Sequence, residues 1–168
     1  MNDKMEKALN EQINKEYFSS YLYLSMSAYF DSIGLKGFAK WMKAQAAEEK
    51  FHGDKFFNYI GARGGRVRLE AIETPQIEWS SPLNAFQHTL EHEQYVTKRI
   101  NDLARLSRDE NDFATESFLK WFIDEQVEEE ESANEIIDKL RLFGDKGEAV
   151  FVLDKDLGQR VFNEPQNL

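Results

Sequence analysis

Glutamate, glutamine and histidine recur in this chain at spacings that bring them onto the inward faces of helices. Stepping by alternating threes and fours traces four such faces. The first reads Leu9, Ile13, Glu16, Ser20, Tyr23, Ser27, and the second Phe38, Met42, Gln45, Glu49, His52, Phe56, Tyr59. The third reads Phe86, Leu90, Glu93, Thr97, Ile100, Ala104, and the fourth Leu119, Phe122, Gln126, Glu129, Ala133, Ile136, Leu140. Each line is apolar toward its ends and carries a metal-ligand type of residue near its middle. A bare carboxylate in a core is costly unless it is paired or metal-bound. No Lys or Arg falls on any of the four lines, so a bound metal cluster is the simplest way to hold the charge of Glu16, Glu49, Glu93 and Glu129. Oxygen ligands with one imidazole suit iron or manganese better than zinc or copper.

The spacing repeats. Glu49 follows Glu16 by 33 positions, and Gln126 follows Glu93 by 33; His52 and Glu129 each lie three further on. Two similar ligand sets, each from a pair of helices, are thus expected face to face. Gln126 stands in the second set where Glu49 stands in the first, so the duplication is imperfect.

The elements that must position these residues can be read from their boundaries. The first helix is expected from about Asp3 to Ile33, ended by Gly34, and the second from about Lys36 to Ala62, ended by the glycines at 61, 64 and 65. Residues 64–81 show no helical period. Ser81 as N-cap with Pro82 at the first position opens a third helix that ends near Asp109. Asp112 caps a fourth that runs to Phe143. A short amphipathic fifth helix, with Val150, Leu153, Leu157 and Val161 in register, is expected over about 146–161, before a polar tail over 163–168. Short links imply antiparallel neighbours for helices one and two, and for three and four. A 27-residue helix is roughly 40 Å long, and the 18 residues from 64 to 81 can span up to about 60 Å. The fold class expected is therefore all-α: one domain over 1–168, with a four-helix bundle over 3–144, one long crossover between helices two and three, and a short fifth helix.

Bulk properties narrow the partners. The formal net charge is −10, which disfavours nucleic acid and anionic membranes. There is no cysteine, which excludes disulfides, iron–sulfur clusters and thiol catalysis. No apolar run suggests a signal peptide or a membrane span, so a cytoplasmic protein is expected.

One Glu from each of two helices with Glu-x-x-His from the other two is the pattern of ferritin-like di-iron bundles. Here Glu49-Lys50-Phe51-His52 keeps it, while Gln126-Val127-Glu128-Glu129 lacks the second His. With that asymmetry, and with the stretches NEQINKEY, AEEKFH, EHEQ and FLKWFIDEQVEEE, the chain resembles prokaryotic non-haem ferritins over essentially its whole length. The resemblance implies a first iron held by Glu16, Glu49 and His52, and a second held by Glu49 as a bridge with Glu93 and Glu129, with Gln126 beside them. It implies a possible third iron at Glu48, Glu125, Glu128 and Glu129, and a catalytic part for Tyr23 as a source of an electron or a hydrogen bond. It also implies oxidation of Fe(II) by dioxygen or hydrogen peroxide, storage of ferric mineral, and assembly into a shell of 24 subunits. Haem is not expected, because Lys50 stands where haem-binding bacterioferritins place a Met. The main alternative is a di-iron peroxidase or oxygenase of rubrerythrin type without stored mineral. His88 and His92, off the four lines, read as surface or interface residues, and Glu130 and Glu131 as a solvated face.

Overall fold

The computed structural model describes residues 1–144 and 146–165. They form five helices in an all-α arrangement: α1 (Asp3–Ser32), α2 (Lys36–Ala62), α3 (Pro82–Asp109), α4 (Phe113–Phe143) and α5 (Gly147–Leu157). α1 packs along α2 and α3 along α4, with further contacts between α1 and α3. The four long helices fall within a residue or two of the sequence expectation, because their ends carry strong local signals. Asn2, Ser81 and Asp112 accept the N–H groups of Met5, Asn84 and Thr115, capping α1, α3 and α4. Gly34, at φ +84°, supplies the left-handed turn between α1 and α2.

The segment between α2 and α3 runs alongside α1, whose polar side chains satisfy its backbone. Asn10 donates to the carbonyl of Arg66 and accepts from the N–H of Arg68; Asn14 donates to the carbonyl of Ala71, and Ser25 to that of Gln76. At its end Trp79 packs against Tyr29 with ring centroids 5.4 Å apart. The order of partners, from Asn10 to Tyr29, shows a crossover that travels the bundle lengthwise. Its extended form follows from these paid-up hydrogen bonds rather than from any strand pairing.

Two apolar clusters fill the interior. One gathers Leu22, Met26, Phe30, Phe38, Met42, Phe86 and Leu140 with Leu153 and Leu157 of α5. The other gathers Met5, Leu9, Ile13, Phe56, Ile60, Ile100, Leu119 and Phe122. Along every long helix the two clusters are separated by buried polar residues, and that belt is where the four lines carry their carboxylates.

α5 is shorter than its apolar register suggests. It ends at Leu157, where the N–H of Gly158 closes on the carbonyl of Asp154, and Val161 is 65 % exposed. Beyond Gly158 the chain turns back toward α2, with Arg160 reaching Gln45 and Glu48 and Phe162 lying against Phe51. The expected start of the helix near 146 holds to within one residue, and residues 166–168 of the expected tail lie outside the described part. α5 is tied to the bundle by a cap across elements: α2 has no side-chain cap of its own, and Asp154 Oδ1 accepts the N–H of Phe38 at 2.9 Å. Asp154→Ala is expected to cost about 1 kcal/mol, the usual worth of an N-cap, read as a melting point about 2–4 °C lower; Asp154→Asn should recover most of it. Among the described residues no helix is long and apolar enough to cross a membrane.

Candidate metal centre

Glu16 on α1, Glu49 and His52 on α2, Glu93 on α3, and Gln126 and Glu129 on α4 are all buried at one level of the bundle. Each is on the inward face because its helix keeps the three–four spacing without a break, so one turn places Glu49 beside His52 and another places Gln126 beside Glu129. The structure brings the carboxylates into two groups that share one member. Glu16, Glu49 and His52 each offer a ligand atom within 4.8 Å of the others, and so do Glu49, Glu93 and Glu129. A third group joins Glu48, His52, Glu125 and Glu129. Glu128 is exposed and stands outside that group, while His52, which the sequence reading placed only in the first set, is within it.

The groups are crowded with like charge and short of compensation. Burial, together with the neighbouring Glu93 and Glu16, drives the Glu49 carboxyl well above the ordinary range. Burial, with Glu49 and Glu93, does the same to Glu129. Burial raises Glu16 as well, against the pull of His52. Glu93 is raised to about 7 by burial, opposed by donated hydrogen bonds from Tyr23 and Gln126. Glu16 Oε2 and His52 Nε2 are buried with no hydrogen-bond partner. Buried polar atoms without partners are rare and call for an explanation. Here a divalent cation fits: it would give the orphaned atoms a partner and neutralise the carboxylates, and the oxygen-rich set with one imidazole suits iron or manganese.

The remaining polar neighbours orient the carboxylates. Tyr23 donates its hydroxyl to Glu93 Oε1, and burial with Glu93 and Glu49 raises the phenol well above its usual value, so it stays protonated as a donor. Gln126 donates to the Glu93 carboxylate at 3.1 Å and to its backbone carbonyl at 3.2 Å. Its amide thus serves as a donor to a ligand-type carboxylate. Trp121 lies edge-on to His52, with centroids 5.4 Å apart.

Two buried glutamines complete the belt. Gln12 donates to Glu16 at 2.8 Å, and Gln45 donates to Glu49 at 2.8 Å and to Glu129 at 2.7 Å. Each has its carbonyl oxygen held by an arginine, Gln12 by Arg99 at 2.9 Å and Gln45 by Arg160 at 2.7 Å. Gln12, Arg99 and Arg160 were not among the sequence-derived candidates. Gln12 was within reach, since Gln12 and Gln45 each lie four before a key glutamate and are themselves 33 apart. The arginines carried no local signal.

His92 corrects an expectation. It is buried, packs against Phe18 and Tyr23, and shares a 2.7 Å hydrogen bond with Ser19. The inner face of α3 is wider than the single line through Glu93, so the adjacent position is covered by α1. Burial lowers its pKa to about 4, which keeps the ring neutral. His88 is half-buried and accepts from the Trp79 indole at 3.0 Å. Glu131 is exposed as expected, whereas Glu130 is partly covered and accepts from Thr97 at 2.6 Å.

A four-helix bundle with a lengthwise crossover and a buried belt of carboxylates around one histidine defines the class of helical bundles with a metal-ligand type of core. Comparison with known proteins makes this specific. Residues 6–143 match the family described as Ferritin-like domain. The chain is 44 % identical over 158 residues to the bacterial non-heme ferritin of Staphylococcus aureus (strain USA300), covering 94 % of this chain and 95 % of that protein. It is 45 % identical over 157 residues to the bacterial non-heme ferritin of Staphylococcus epidermidis, with the same coverage. Among solved structures, an open pore ferritin from the hyperthermophilic archaeon Archaeoglobus fulgidus superposes with a TM-score of 0.94 at 55 % identity, covering 95 % of this chain and 99 % of that one. An engineered closed form of the Archaeoglobus fulgidus ferritin gives 0.96 at 55 % identity, covering 97 % and 99 %. The chain belongs to the ferritin family.

Proposed function

We propose that this protein stores iron, oxidising Fe(II) with dioxygen at the buried belt and retaining the ferric product inside a shell of its own copies, 24 by the family's habit. The observation that carries the reading is the pair of groups sharing Glu49, with orphaned atoms on Glu16 and His52, in a chain whose relatives are non-heme ferritins. Fe(II) is the substrate and the cargo. Two Fe(II) ions each lose one electron, and the two electrons with two protons convert dioxygen to hydrogen peroxide.

The part of the protein is placement and charge. Glu16, Glu49 and His52 hold one ion; Glu49, Glu93 and Glu129 hold the other; Glu49 faces both. Two cations at this level offset carboxylates that otherwise keep their protons. Gln12, Gln45, Gln126 and Tyr23 donate to those carboxylates and fix their orientation before an ion arrives. Glu48, Glu125 and Glu129, together with His52, form a less buried third site, with Glu128 exposed outside it. The cytoplasm, where Fe(II) is available, suits a chain without cysteine. The relatives described above, all ferritins by name, do not favour the rubrerythrin-type alternative.

Aerobic addition of Fe(II) followed by size-exclusion chromatography tests the reading. Iron should co-elute with a large assembled particle after oxidation faster than in buffer alone; oxidation at the buffer rate, or iron lost from the protein peak, would reject it. Tyr23→Phe removes one donor from Glu93 and is expected to slow the first oxidation phase by about 3- to 10-fold, the scale of one hydrogen bond. Stopped-flow absorbance of the ferric product measures this, and unchanged metal stoichiometry should accompany it.

A further inference from the structure

We propose that Arg160 is a tethered counter-cation for the outer carboxylate group, holding Glu48 in the metal-free protein and yielding it when a third metal binds. The inference rests on the proposed third site.

The guanidinium of Arg160 lies at the junction of three things. Nη2 donates to Glu48 Oε2 at 2.5 Å, Nη1 donates to Gln45 Oε1 at 2.7 Å, and the group lies 4.2 Å from the centre of the Trp41 ring. Its planar fork serves both acceptors at once in a fixed geometry. Gln45 passes the contact inward, because its amide nitrogen donates to both Glu49 and Glu129. With both amide hydrogens committed to carboxylates, the carbonyl oxygen is what Arg160 holds, and the amide cannot flip without losing all three bonds.

Glu48 is also a member of the group with His52, Glu125 and Glu129. A cation entering that group competes with the guanidinium for the Glu48 carboxylate. The competitor is part of the chain beyond α5, whose ties to α2 include Arg160 itself and Phe162 against Phe51. Leu153 and Leu157 are buried and Asp154 caps α2; these contacts hold α5 in place and would confine the movement to the stretch after Gly158. Filling the outer group is therefore coupled to release of that stretch, and a cation of the protein's own on one of its ligands lowers the affinity of the third site.

The test uses the assembled full-length protein, titrated without oxygen with Zn(II) as the probe, for the natural chain and Arg160→Gln. Wild type is expected to take two ions tightly and a third weakly. In the variant the third should tighten by at least about tenfold, the worth of a charge-assisted hydrogen bond, while the first two stay equal or weaken because Gln45 loses its anchor. In the natural protein, hydrogen exchange over residues 158–162 should quicken as the third ion binds and not before. Equal tightening of all three sites, an unchanged third affinity, or exchange that ignores the third ion would overturn the role of Arg160 while leaving the third site intact. Binding of two ions only, in both proteins, would remove the third site and this inference with it.

Discussion

Replacing Glu49 with glutamine is expected to slow the initial oxidation of Fe(II) by at least about a hundredfold, or ~3 kcal/mol of barrier, and at the same time to stabilise the metal-free protein. The two effects have one origin. Glu49 is the carboxylate common to both inner groups, so its loss weakens both metal positions together, whereas Glu16→Gln or Glu93→Gln touches one. Glutamine keeps the volume, which separates loss of a ligand from creation of a cavity. The stabilisation follows from the raised carboxyl pKa. Unfolded, Glu49 titrates near its ordinary value of 4.5; folded, burial beside Glu93 and Glu16 holds the proton to much higher pH. Below about 4.5 both states are protonated and there is no penalty. As pH rises past that value the unfolded chain gains by ionising and the folded one does not, so stability is lost progressively until the folded value is passed. The variant should therefore melt higher than wild type at pH 8 when both are metal-free, and nearly equal to it at pH 4. Added divalent metal should reverse the order at pH 8. Thermal scans with and without metal check both signs; a variant less stable than wild type at pH 8 without metal would contradict the account.

Metal affinity is expected to climb steeply with pH between 6 and 7. In the metal-free protein Glu93 titrates at about 7, and Glu16, Glu49 and Glu129 are raised by burial and by one another. Each must be ionised to bind a cation, so protons leave as metal enters. Below the folded pKa of a ligand, every proton displaced contributes about tenfold in apparent affinity per pH unit. For any two of these protons displaced the rise is up to about a hundredfold between pH 6 and 7, and each further proton displaced makes it steeper. Calorimetric titration with Zn(II) in buffers of different ionisation enthalpy reads the affinity and the protons together. A flat affinity with no proton release would mean that the carboxylates are ionised before metal arrives. In Tyr23→Phe the rise should move to higher pH, since the hydrogen bond from Tyr23 is among the effects that hold Glu93 down.

Much of the architecture was readable because its signals are local. Ser81 with Pro82, Asp112 and Gly34 mark helix ends through bonds made within a few residues, and the three–four spacing put Glu16, Glu49, His52, Glu93, Gln126 and Glu129 on inward faces before any packing was known. What escaped depends on contacts distant in sequence. Arg99 meets Gln12 across 87 positions and Arg160 meets Gln45 across 115, and no pattern in the sequence joins them. His92 is buried where its position off the line predicts exposure, because a single inward line understates the width of the face α3 buries against α1. α5 ends short of its apolar register, which continues to Val161, because the chain leaves the helix and takes Arg160 toward Glu48. The orientation of Gln126 as a donor to Glu93 is a matter of side-chain geometry that residue type leaves open.

Two metal ions are expected side by side at the middle of each bundle, with Glu49 between them. Crystals soaked in Fe(II) without oxygen, with anomalous diffraction recorded on both sides of the iron edge, address this arrangement most directly. Two peaks are expected per subunit, one among Glu16, Glu49 and His52 and one among Glu49, Glu93 and Glu129, both lost in Glu49→Gln. Full-occupancy iron elsewhere with no density at these two positions, or peaks that survive the substitution unchanged, would contradict it.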